Sequence, residues 1–207
     1  LTSRVYTGQN SCARMSASFD NVMFQKSGLP GFDDSSWVSA FYVAYWNRAG
    51  DPGGMDYWTG EIQSGRLDAT GVAENFAYQP EARQAYPYFA DPGNATQQER
   101  EEFVRRVYAN LLNNDSPNPA DIDYWVDELT AGSSTPGALI GHMIYAAMQE
   151  NGQSWQIIRN KIEISGYFTR MFREAGRPWS ERAREKARQA LEGVTSDPAT
   201  VQAGKER

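Results

Sequence analysis

One stretch of the chain is written twice, and an internal repeat restricts the possible folds more than any other feature of this sequence. Asp51-Pro52-Gly53-Gly54-Met55-Asp56-Tyr57-Trp58 returns in outline as Asn118-Pro119-Ala120-Asp121-Ile122-Asp123-Tyr124-Trp125, a register of 67 residues. The match continues without a gap. Glu61, Ile62 and Gly65 meet Glu128, Leu129 and Gly132, and Val72, Phe76 and Tyr78 meet Leu139, Met143 and Tyr145. Upstream, Tyr42 meets Tyr108 and Asn47 meets Asn113 once one residue is admitted into the second loop.

Both copies read as helices. Asp51 or Asn118 is an N-cap, whose side-chain oxygen accepts from a free N–H of the first turn, and the following Pro sits where a missing donor costs nothing. Met55, Trp58 and Ile62, like Ile122, Trp125 and Leu129, fall on one stripe at helical spacing. Gly65 and Gly132 stand where a left-handed residue ends such a helix. A longer helix precedes each motif: Trp37, Phe41 and Tyr45 in copy one, capped by Ser35 or Ser36, and Val104, Val107, Tyr108 and Leu111 in copy two, behind a Thr96-Gln97-Gln98-Glu99 capping box. Another helix comes after each, through Val72 and Phe76 or through Leu139, Met143 and Ala147. The unit is helix, loop, short helix, turn, helix, and the Trp at its centre is expected to be structural core.

Nothing alternates at period two, so the expected fold is all-α: a helical bundle of two related units plus C-terminal helices. Its divisions are an N-terminal extension (1–35), a first unit (36–92), a second (93–175) and a C-terminal helix and tail (176–207). Residues 1–35 are the hardest to read, with loop and a helix expected near 12–25. The connector is broken by Pro80, Pro87 and Asp91-Pro92-Gly93-Asn94, and its Tyr86, Tyr88 and Phe89 are too apolar for a free linker. Trp155 to Phe172 reads as one strong helix, and Pro178 and Ser180 open another running to about Leu191. Ser196 to Arg207 lacks large apolar residues and is expected to be a frayed helix or tail.

The 207 residues, 40% of them apolar, suffice for a core, and a net charge of −6 argues against nucleic acid, whose phosphates demand concentrated Lys and Arg. That balance is uneven: from Arg177 onward seven basic and five acidic residues give +2, against −8 for the rest. The single cysteine, Cys12, permits no internal disulfide and is expected to be a small buried thiol. No apolar run approaches the ~20 residues of a membrane helix. The lack of an initiator Met predicts a removed leader, or a chain cut from something longer.

The run Tyr42-x-x-Tyr45-Trp46-Asn47-Arg48-Ala49-x-Asp51-Pro52-x-Gly54-x-x-Tyr57-Trp58, then Ser64-Gly65, resembles the DUF4214 domain. Copy two resembles it through Tyr108, Leu111, Leu112, Pro119, Tyr124, Trp125 and Gly132, but Asn113-Asn114 replaces Gly-Arg and Asp121 replaces Gly. Asn160–Phe168 and Val194–Val201 resemble segments that lie C-terminal to the domain in its relatives. The resemblance implies a helical module of secreted bacterial proteins, found in surface-layer proteins, adhesins and calcium-binding repeat proteins. It also implies a likeness in pattern to the helical linker domains of phycobilisomes. It brings no catalytic residues.

The residues themselves give little chemistry. Asp115, Asn118, Asp121 and Asp123 offer oxygens to a calcium ion, but without EF-hand spacing or its bidentate Glu, and helix capping explains them as well. His142 is the only histidine, which excludes a zinc site built on more than one His, and its place on a helix beside apolar positions predicts a packed or capping imidazole and not a member of a Ser-His-Asp triad. Glu61 and Glu128 could be pictured as paired carboxylates, yet their recurrence is a consequence of the repeat. Tyr57 and Tyr124, beside the core Trp, could stack on sugars or fill the seam. Gly53-Gly54 lacks the strand and Lys-Ser/Thr of a phosphate loop.

These features predict a non-enzymatic, secreted or cell-surface protein that works by interaction, through self-assembly or a protein partner. Tyr86, Tyr88, Phe89, Phe168 and Phe172 are the expected contact surface, and Trp58 and Trp125 the core. The alternative is a module that binds surface polysaccharide.

Overall fold

The computed structural model describes residues 32–207. The helix expected near 12–25 and Cys12 lie outside them. Ten α-helices make up the described chain: α1 (Asp34–Trp46), α2 (Pro52–Gln63), α3 (Ala69–Ala77), α4 (Pro80–Ala85), α5 (Gln97–Leu112), α6 (Pro119–Ala131), α7 (Pro136–Glu150), α8 (Gln153–Glu174), α9 (Glu181–Gln189) and α10 (Ala199–Lys205). There is no strand among the described residues. The fold is all-α.

The repeat is visible element by element. Helices α1, α2 and α3 recur as α5, α6 and α7, and the Pro that opens α2 is 67 residues from the Pro that opens α6. Asp51 accepts from the Gly54 N–H at 2.7 Å and Asn118 from the Ala120 N–H at 3.0 Å. The Thr96–Glu99 capping box is formed. Gly65 and Gly132 both have φ of 71°, and Asn47 and Asn113, matched across the longer loop, both end their helices in the left-handed region at φ of 47° and 52°. Asn is one of the few side chains that tolerates this conformation. One cap differs from expectation: Asp33 starts α1, and Ser35 and Ser36 donate their hydroxyls to it.

Helix α1 is the centre of the molecule. Every residue from Trp37 to Trp46 is buried, the pattern of a helix surrounded on all sides. It packs against α2 and α3 of its own unit, against α5 and against α8. Corresponding helices meet, α1 on α5 and α3 on α7, as an approximate two-fold relation between the units would give.

Two aromatic clusters fill the interior. Phe76 is ringed by Phe41, Tyr42, Tyr45, Trp46 and Trp58, with centroids 5.0–6.0 Å away. Phe103 is ringed by Tyr45, Tyr86, Tyr88 and Phe89 at 4.9–5.9 Å. Tyr86, Tyr88 and Phe89 are therefore buried between the units, and the expectation that they form a contact surface is corrected. The Tyr86 hydroxyl donates to the Tyr45 carbonyl, which fixes the connector to α1.

The junction of the two units also has a polar part. Lys161 on α8 is almost wholly buried and donates to the Asn110 carbonyl and to Asn47 Oδ1 at 3.5 Å, near the C-terminal ends of α5 and α1. A carbonyl left unpaired at the helix end accepts from the Lys161 ammonium. Asn110 donates to the Ala44 carbonyl at 2.8 Å, and Asn113 and Asn160 donate to the carbonyls of Val194 and Thr195, both at 2.7 Å.

The stretch 196–207 is also corrected. It holds α10, packed on α8 through Val201 and Gly204. A Cβ at Gly204 would lie 2.6 Å from Ile164 Cδ1, so the absence of a side chain is what lets the helix dock. Small residues brought α10 against α8, which a search for large apolar residues misses.

Candidate functional site

The loop between α1 and α2, helix α2, the end of α3 and the start of α4 line a groove of about 730 Å³ in the first unit. Its walls are Tyr42, Trp46, Tyr57 and Trp58, and its polar lining is Arg48, Asp51, Asn75, Gln79, Glu81 and Arg184.

Most of these side chains hold the loop in shape. The Tyr42 hydroxyl donates to Asp51 Oδ2 at 3.2 Å while Asp51 caps α2 with its other oxygen. Burial first, then the charge of Asp51, pushes the Tyr42 phenol far above its usual range, so it remains a donor. Gly54 is required by this arrangement, because a Cβ there would collide with the Tyr42 hydroxyl. Arg48 is buried and grips Glu81 through two bonds, Nε to Oε1 at 2.9 Å and Nη2 to Oε2 at 2.6 Å, with Nη1 donating to the Ala49 carbonyl at 2.9 Å. Its guanidinium lies 4.8 Å from the Tyr42 ring, 5.1 Å from Trp46 and 5.6 Å from Trp179. A bidentate, ring-sandwiched pair is the geometry in which Arg cannot be exchanged for Lys.

Helix α9 closes one end. The Ala49 N–H donates to the Ala187 carbonyl at 3.2 Å, and Arg184 and Arg188 both come within 3.8 Å of Glu81. Two groups remain unused. Tyr57 is 58% exposed, its ring in edge contact with Trp58 at 4.7 Å. The Trp46 indole N–H is buried and has no acceptor among the described residues, a property it shares with Trp125 in the second unit.

Most positions of the motif thus have a structural role in this segment. Residues 15–86 match the model of a family described as "Domain of unknown function (DUF4214)". The matched segment takes in most of the first helical unit. No curated protein and no solved structure matches the chain. Within the DUF4214 motif, Asn47 turns the chain, Arg48 binds Glu81, Asp51 caps α2, Gly54 makes room for Tyr42 and Trp58 fills the core. Tyr57 is presented outward at the groove.

The other sequence-derived candidates separate clearly. Trp58 and Trp125 are both buried, the first against Phe76 and the second stacked on His142 at 5.7 Å. Glu61 is held by Arg66 through bonds of 2.6 and 2.9 Å, which lower its carboxyl pKa. Glu128 accepts from the Ser133 hydroxyl at 3.0 Å. Asn118 is a cap, and no group of three His, Cys, Asp or Glu that could hold a metal occurs among the described residues. Phe168 and Phe172 do stay near the surface. With Met171, Pro178, Arg177, Arg182 and Lys186 they line a second groove of about 470 Å³ between α8 and α9. No helix among the described residues is long and apolar enough to cross a membrane.

Sequence reasoning missed Asn75, Gln79, Glu81 and Arg184. The first three had a signal. Under the 67-residue register they stand opposite His142, Ala146 and Met148, so the polar character of the groove is confined to one copy.

Proposed function

We propose that this protein is a non-enzymatic interaction scaffold of the cell surface or its surroundings, which assembles with copies of itself or a protein partner into a larger structure. The observation that carries the reading is the groove between α8 and α9. Phe168 and Phe172 are half-buried there and Met171 is 43% exposed, a cluster of apolar side chains that the described helices leave uncovered. Such surfaces mark contact sites, and a flexible Met suits an adaptable one. The rim carries Arg177, Arg182 and Lys186 on a C-terminal stretch of net +2, while the rest of the chain carries −8, so separate copies present opposite charges to one another. The placement at the cell surface is supported by the resemblance drawn from the DUF4214 motif.

Light scattering over a range of concentrations tests this. The full chain is expected to grow beyond the monomer mass, or to elute with a partner, and Met171→Glu is expected to return it to a monomer with its helical signal unchanged. A strict monomer that binds no protein, or an assembly indifferent to Met171→Glu, contradicts the reading. Fractionation of the producing cell, with the protein recovered outside the cytoplasm, tests the placement.

A further inference from the structure

We propose that the groove of the first unit is a carbohydrate site, which takes a neutral pyranose unit of a surface polysaccharide. This inference rests on the interaction reading and names what the first unit holds. Four observations carry it together.

The first is the platform. A pyranose ring exposes a face of C–H groups that lies flat on an aromatic ring, and Tyr57 offers one on the rim, 58% exposed and braced edge-on by Trp58. The second is the polar lining. Asn75 is anchored through its nitrogen to the Gly71 carbonyl at 2.8 Å, and Gln79 through its nitrogen to the Asn75 carbonyl at 3.1 Å. Each amide therefore keeps its oxygen to accept from a hydroxyl, beside the carboxylates of Asp51 and Glu81. A cleft with aromatic walls and a few fixed polar groups is the usual make-up of a small-ligand site, and this volume lies within the usual range.

The third is a second ring. Trp46 lines the groove and is 9% exposed, an aromatic wall against which the sugar would lie. The fourth is charge. The ionised lining groups are Arg48 and Arg184 against Asp51 and Glu81, which balance, so the groove has no net charge with which to select an ionic ligand.

The second unit is a built-in control. It keeps the frame (Tyr108, Tyr124 and Trp125) but has Leu112 for Trp46, Asn114 for Arg48, Asp121 for Gly54, His142 for Asn75, Ala146 for Gln79 and Met148 for Glu81. Had the polar set served folding alone, a second bundle of the same shape would have needed it too.

The test titrates the full chain with soluble neutral oligosaccharides (cello-, malto- and chito-tetraose), with the corresponding insoluble polymers, and with polygalacturonate as an acidic control. Saturable binding of at least one neutral oligosaccharide is expected. Tyr57→Ala, a change at an exposed side chain, is expected to weaken it at least about tenfold, Gln79→Ala to weaken it as well, and Tyr124→Ala to alter it by less than about twofold. Three results overturn the site: binding of none of the neutral probes, equal losses for Tyr57→Ala and Tyr124→Ala, or retention by polygalacturonate or insoluble polymer alone. Binding of a protein partner at the groove, blocked by Tyr57→Ala while sugars have no effect, also overturns it. Light scattering on the same samples separates this from the scaffold reading. Assembly without sugar binding removes only the carbohydrate site, and sugar binding by a strict monomer removes only the assembly.

Discussion

The first unit and the second share a skeleton and differ in what they do with it. Both cap their short helix with Asp51 or Asn118, turn on Asn47 or Asn113, end on Gly65 or Gly132, and plug the middle with Trp58 or Trp125. Around that frame the first unit places an ion pair between Arg48 and Glu81 and a polar groove, and the second places Asn114, Met148 and the His142 ring stacked on Trp125. The common positions are those that backbone geometry and core volume impose. The divergent ones were free to vary, and in the first unit they converge on a single cleft. A duplicated bundle thus separates structural residues from the others without any comparison to other proteins.

The largest effect expected from breaking this parallel is at the paired indoles. Trp58→Ala and Trp125→Ala should each cost about 3–5 kcal/mol in denaturant unfolding, since each leaves a cavity in a packed interior. A loss at one position only would mean that the two units are not equivalent in their cores. Next is Arg48→Met, which removes the two charged hydrogen bonds to Glu81 and leaves it only Arg184 and Arg188 at 3.8 Å, and should cost about 2 kcal/mol in the same measurement. Asn114→Ala, at the matching position, should change stability by less than about 0.5 kcal/mol. Equal costs would remove the asymmetry between the units.

A smaller effect belongs to the joint between them. Burial holds the Lys161 ammonium down to about 8, against an ordinary value of 10.5, with the charge of Asp115 opposing the shift. Above pH 8 the unfolded chain therefore keeps a proton that the folded one has released, and stability rises with pH. The gain from pH 8 to 9.5 should be about 1–2 kcal/mol. It ends near pH 10, because burial raises the phenols of Tyr42, Tyr45 and Tyr86, and exposed tyrosines then ionise in the unfolded chain. Lys161→Met should flatten the rise in chemical unfolding measured across this range.

The frame was legible because its signals are local: a capping side chain before a Pro, a Gly at a helix end, a stripe of apolar residues at helical spacing. The joint and the groove were not, for physical reasons that differ. Lys161 looks like a surface residue of α8 until two helix C-termini are brought to it from 51 and 114 residues away. Tyr86, Tyr88 and Phe89 were recognised as too apolar for a linker, but whether they face a partner or the other unit depends on where α5 lies, and Phe103 on that helix takes them. Helix α10 docks through an absent side chain. Arg184 reaches the groove from the far end of the sequence, beyond the reach of any spacing rule.

The central claim is that the frame is duplicated but the binding chemistry is not. The indole N–H resonances of the six tryptophans, recorded by ¹⁵N NMR on the full chain during a titration with neutral oligosaccharide, address it most directly. Trp46 is expected to shift progressively to saturation while Trp125 stays in place. A shift at both, or at Trp125 alone, would place the chemistry in the shared frame, and no shift at any of the six would leave the groove without the role assigned to it.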